Sequence, residues 1–155
     1  MRTLVIGVGN LLRCDDGAGV HVVNRLKKLA PQIDAVDVAM GGVEILEAMK
    51  GYGRVIIVDS IRTGSEPGTI YRVNIAGGEE PPRISSSHGV DLVTTLELGR
   101  RLMPEEMPPE QVLIGIEAED TVIFSVTCTP RVEAAVDRVV EDIIMLVGQR
   151  NDFDL

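Results

Sequence analysis

Tryptophan is absent from this 155-residue sequence, and only two phenylalanines and two tyrosines are present. Proteins that hold bases or sugars by stacking depend on such rings, so that mode of binding is not indicated. Positive charge is also scarce: 15 Lys and Arg stand against 24 Asp and Glu, for a formal net charge of −9. Clustered cations that displace counterions drive binding to a phosphate backbone, so the balance argues against nucleic acid and for a cationic or metal-bearing partner. Two cysteines, Cys14 and Cys128, are too few for a disulfide framework. No apolar run approaches the ~20 residues of a membrane-spanning helix. Met1-Arg2-Thr3 leads straight into an apolar strand pattern without a secretory leader. The expectation is a soluble cytoplasmic protein with no membrane insertion.

What remains is enough for one core. A chain of this length buries roughly 68–70% of its unfolded surface as a single domain, here expected over residues 1–150, with a polar tail at 151–155 that frays. The rest is arranged around the stretch from Leu4 to Gly19. Leu4 to Val8 is apolar and rich in β-branched residues, the pattern of a strand covered on both faces. Gly7 and Gly9 permit a tight turn. Asp15 and Asp16 then precede a helical pattern from about Gly17 to Ala30, with Val20, Val23, Leu26 and Ala30 on one face. One carboxylate suffices to cap a helix. Two, beside Asn10 and at the carboxyl end of a strand, point to a site.

A strand over Ile33 to Ala39 follows, then the Met40-Gly41-Gly42 turn and a short helix carrying Val43, Leu46 and Met49, which sets a βαβα rhythm. Arg54 to Asp59 reads as a strand in which Val55-Ile56-Ile57-Val58 is continuously apolar and a carboxylate closes it. Pro67-Gly68 marks a turn and Thr69 to Asn74 a further strand. A Gly, Glu and Pro loop at 76–82 leads through Ser85-Ser86-Ser87-His88-Gly89 to a third helix with Leu92, Leu96, Gly99 and Met103 on one stripe. Val112 to Ile116 reads as a buried strand and Thr121 to Thr127 as an edge or irregular one. Thr129-Pro130 opens the last helix with a hydroxyl cap and Pro at its first position.

Polar residues expected at the carboxyl edge are Asp16, Asp59 and His88, with Asn10, Gly41 and Gly42 nearby as candidates for lining a substrate cleft. A helix N-terminus keeps the His88 ring neutral and able to bind metal. Two carboxylates and an imidazole suit a divalent transition metal and leave positions open. Without a cation, two carboxylates ~4 Å apart repel by about 4 kcal/mol at an effective dielectric of 20. A dinucleotide fingerprint fits poorly, because Leu12 occupies the third glycine position and Asp15 and Asp16 repel a pyrophosphate. Cys14 beside the same carboxylates is a poor nucleophile. His21 lies inside the first helix and is given no chemistry, and Glu117, Glu119 and Asp120 read as a solvated loop.

In order and spacing, Gly7-Val8-Gly9-Asn10, Asp15-Asp16-Gly17, Gly19, Gly41-Gly42, Ile57-Val58-Asp59, Pro67-Gly68-Thr69, Ser87-His88 and Thr129-Pro130 resemble the nickel–iron hydrogenase maturation endopeptidases across nearly the whole chain. The resemblance implies a three-layer α/β sandwich, with a twisted, mostly parallel sheet and helices on both faces. It further implies that Asp16, Asp59 and His88 bind metal, with Asp16 and Asp59 also candidates for activating water. The implied substrate is a [NiFe]-hydrogenase large-subunit precursor whose C-terminal extension is removed after nickel insertion. Nickel is then recognised in the precursor, and other divalent ions are able to occupy the site in vitro. Whether an aspartate or the metal activates water stays open at the level of sequence. The alternatives are a non-catalytic nickel-binding or precursor-holding chaperone on the same fold and a nucleotide-binding module.

Overall fold

The computed structural model describes residues 1–39, 42–75 and 89–153, excepting the side chains of 89–91 and 149–153. Among the described residues, five strands form one sheet: β1 (Thr3–Val8), β2 (Asp34–Val38), β3 (Arg54–Ile61), β4 (Ile70–Asn74) and β5 (Glu110–Glu117), in the spatial order β2-β1-β3-β5-β4. All neighbours are parallel except β4, which runs antiparallel to β5. Four α-helices among the described residues cover it: α1 (Ala18–Leu29), α2 (Val43–Met49), α3 (Gly89–Leu102) and α4 (Pro130–Phe153).

Strand alternation divides the core. Val5, Ile56, Val58, Ile114 and Ile116 join α1 and α4 on one face, through Val22, Val23, Leu26, Val136, Val139 and Ile143. On the other, Leu4, Ile6, Val8, Val55, Ile57 and Leu113 meet α2 and α3 through Ile45, Leu46, Met49, Leu92 and Leu96. Because successive strand residues point to opposite faces, a strand apolar on both is buried on both. The expected three layers are therefore present.

Element ends differ from the sequence reading where tertiary contacts intervene. A 3-10 turn over Cys14–Gly17 precedes α1, so Asp15 and Asp16 lie in that turn rather than immediately before an α-helix. β3 continues two residues past Asp59 because β5 pairs with it as far as Ile61. The segment from Thr121 to Thr127 is a loop with one isolated bridge, between Arg13 and Ser125, instead of a strand. α4 persists through Phe153, into the segment expected to fray. The 76–82 loop lies outside the described residues.

Candidate active site

β1 lies between β2 and β3, so the chain leaves β1 toward one side of the sheet and returns to its other side for β3. Open α/β sheets bind ligands outside the carboxyl ends of their strands at such a reversal. Asp16 lies in the 3-10 turn that the loop after β1 leads into. Asp59 stands in β3 one residue past Val58, the partner of Gly7, and is therefore level with the end of β1. By alternation it shares the face of Val55 and Ile57, the side covered by α2 and α3.

Glycines permit this approach. Gly9 has φ +143°, and a Cβ there would sit 2.0 Å from the Asp16 carbonyl oxygen. A Cβ on Gly19 would lie 2.2 Å from the carbonyl oxygen of Val58, and one on Gly7 2.2 Å from that of Gly19. Only without those atoms do the 3-10 turn and the first turn of α1 rest on the ends of β1 and β3. The result brings Asp16 and Asp59 to one edge, both buried, at 5% and 1% exposure. Asp16 Oδ2 accepts a hydrogen bond from the Asn10 amide at 2.9 Å, while Asn10 Oδ1 accepts from the Leu12 amide at 3.0 Å. Asn10 thus shapes the loop and helps hold the carboxylate.

Asp15 does a different job. Fully buried, its Oδ2 accepts from the amides of Glu119 at 2.9 Å and Asp120 at 3.0 Å and from the Thr129 hydroxyl at 2.8 Å. Its Oδ1 accepts from the Thr129 amide at 2.7 Å. One side chain thereby joins the loop after β1, the loop after β5 and the start of α4. The Thr129 hydroxyl, expected to cap α4, donates to Asp15, and the Thr129 carbonyl accepts from Glu133. Sequence spacing gave no way to tell which of two adjacent aspartates would turn inward.

Glu117, expected in a solvated loop, is instead buried as the last residue of β5, where both carboxylate oxygens accept from the Thr63 amide at 3.1 and 2.9 Å. Cys14 is buried at φ +50°, and burial first, then the Asp15 carboxylate, raises its thiol above the ordinary range. Cys128 donates its thiol to the Cys14 carbonyl, and burial, followed by Asp15, pushes it up to about 12. Neither sulfur is poised as a nucleophile.

Gly42 precedes α2 with extended backbone and open space around it. Gly41 and His88 lie outside the described residues, and among the described residues no three His, Cys, Asp or Glu side chains form a metal-binding group. The open groove between β4 and α4, lined by Ile70, Arg72, Ile114 and Ile143, is on the outer flank of the sheet and away from the reversal between β1 and β3.

Fold and site together define a three-layer α/β protein with two buried carboxylates at the carboxyl edge of its switch point. The hydrogenase maturation protease family model HycI matches residues 20–146, and the chain belongs to that family. It is 31% identical over 152 residues to the hydrogenase 2 maturation protease of Escherichia coli, covering 93% of this chain and 89% of that protein. Its fold matches the E. coli hydrogenase maturating endopeptidase HybD with a TM-score of 0.80 at 28% identity, covering 97% and 94% of the two chains. It also matches the [NiFe] hydrogenase maturation protease HybD of Thermococcus kodakarensis, with a TM-score of 0.78 at 25% identity and coverage of 94% and 99%. The protein is a peptide hydrolase, as the resemblance implied.

Proposed function

We propose that this protease removes the C-terminal extension of a nickel-loaded [NiFe]-hydrogenase large-subunit precursor, and that Asp16, Asp59 and His88 hold the precursor's nickel. The observation carrying this reading is the pair of buried carboxylates flanking the switch point. Two carboxyl groups buried at one edge repel each other when ionised unless a cation lies between them, and carboxylate with imidazole suits a transition metal. His88 immediately precedes α3, whose chain runs back toward the amino edge where β5 begins; the helix therefore starts toward the edge carrying Asp16 and Asp59. Other divalent ions are expected to occupy the same groups in vitro.

Nickel in the precursor acts as the anchor, so a nickel-free precursor lacks the contact that positions its scissile bond. Hydrolysis requires water to add to the scissile carbonyl carbon, the C–N bond to break, and the proton lost by water to reach the departing amine. In this reading Asp16 and Asp59 accept that proton and return it. A cytoplasmic location accompanies this reading. No helix among the described residues is long and apolar enough to cross a membrane.

The test incubates the protein with nickel-loaded and nickel-free precursor and follows the C-terminal fragment by mass spectrometry. Release from the loaded form alone is expected. Tight binding with the precursor length unchanged would identify a holding chaperone and overturn the proposal.

A further inference from the structure

Leu12, Val122, Ile123, Phe124 and Val126 stand open beside the carboxylate edge, between 55 and 85% exposed. Phe124, one of two phenylalanines in the chain, is the most exposed of them, at 85%. Apolar side chains scattered singly on a surface need no explanation, but a contiguous group beside a site marks an interaction surface. Four of these five lie within five consecutive positions of one loop.

The loop is firmly built. Asp120 Oδ1 accepts from the amides of Val122 at 2.9 Å and Ile123 at 3.1 Å, and those bonds hold its carboxyl below the ordinary range. The Ser125 amide donates to the Leu12 carbonyl at 3.0 Å, and the Cys14 amide donates to the Ser125 carbonyl at 2.9 Å. Leu12 and the Phe124-to-Val126 segment are therefore two sides of one backbone ribbon. That ribbon is bonded directly to the 3-10 turn bearing Asp16 and is tied underneath by Asp15. Cys14 and Asp16 are two residues apart, about 7 Å of chain at most, so a polypeptide seated on the carboxylates passes within reach of the ribbon. An acidic protein that draws a cation with its carboxylates still needs neutral contacts for the rest of the substrate, and the ribbon supplies them already ordered.

We propose that Leu12, Val122, Phe124 and Val126 form a preordered docking ridge for an apolar segment of the precursor polypeptide adjoining its scissile bond. This rests on the protease reading above. The occupant is the substrate chain, because the ridge is continuous with the active-site edge through backbone hydrogen bonds.

The experiment measures fragment release from nickel-loaded precursor, with precursor affinity measured separately by titration calorimetry, for the wild type and for the double variant Val122→Ser/Phe124→Ser. The exposure of both side chains leaves the fold intact, checked by circular dichroism. Loss of two apolar side chains that the docked segment only partly covers is expected to raise KM and weaken affinity roughly ten- to a hundredfold, with turnover recovered at saturating precursor. Leu29→Ser, equally open at 69% exposure but at the far end of α1, is expected to change neither. Unchanged affinity and KM in the double variant, with cleavage intact, overturn the ridge and leave the protease reading standing. Ridge-dependent binding without cleavage does the reverse, and no binding by the wild type overturns both. A wild-type dimer that the double variant dissolves, with KM unchanged, assigns the ridge to a second copy of this chain and refutes the proposal.

Discussion

Replacing Asp15 and Asp16 in turn separates structure from chemistry at two adjacent aspartates. In Asp15→Ala, three backbone amides and the Thr129 hydroxyl lose a charged acceptor at 2.7–3.0 Å. Hydrogen bonds to charged groups contribute about 1.5–3 kcal/mol each, but several donors on one carboxylate are not additive. A loss of about 3–5 kcal/mol is expected, set against a total stability on the order of 5–15 kcal/mol. Asp15→Asn keeps one acceptor oxygen, best spent on the three donors to Oδ2, and turns its NH2 against the Thr129 amide; its cost is about 1–3 kcal/mol. At 2–4 °C per kcal/mol for a domain of this size, the alanine variant should melt roughly 10 °C lower. Urea unfolding followed by circular dichroism gives the same comparison through the midpoint at constant slope. Asp16→Asn retains an acceptor for the Asn10 amide and should lose about 1 kcal/mol or less while processing falls roughly a hundredfold or more. Should Asp15→Ala melt within a degree of the wild type, or Asp16→Asn cleave at the normal rate, the division of labour is wrong.

Gly19→Ala places a Cβ 2.2 Å from the Val58 carbonyl oxygen, so it should cost about 3 kcal/mol or more or prevent folding, whereas Gly148→Ala, in open space on α4, should gain about 0.5–1 kcal/mol; chemical denaturation reads both. The raised thiols should resist iodoacetamide at pH 8 in the folded protein and react on unfolding, as followed by mass spectrometry. Cys128 also gives a signed pH effect. Its folded pKa of about 12 exceeds the ordinary thiol value of 9.0, so its contribution to stability is intact below pH 9 and declines as pH rises toward 12. A Cys128→Ala variant should lose less stability than the wild type between pH 9 and pH 11; an equal loss would show that this thiol does not contribute to the alkaline response.

Much of the fold was legible because its signals are local. The apolar runs of β1, β3 and β5, the helical stripe of α4 and Pro130 at its first position each arise from the geometry of one element. That the loop after β1 and the last residues of β3 meet at one edge was legible for a related reason: both follow apolar runs, and parallel strands end at the same edge of a sheet. The loop after β5 was not legible. Its irregular backbone is held by Asp15, more than a hundred residues away in sequence, and by pairing with Leu12 and Cys14. Asp120 two and three positions before the Val122 and Ile123 amides it holds was the one local signal of an ordered turn there.

By itself the sequence determined the alternation of strands and helices, because burial on both faces and helical periodicity are written into neighbouring residues. Only the tertiary structure decided which of the paired aspartates would be a buried tie and which would stand with Asp59 at the switch point. Hydrogen bonds between distant segments made that choice: Glu119, Asp120 and Thr129 claim the carboxylate of Asp15, while Asn10 holds that of Asp16.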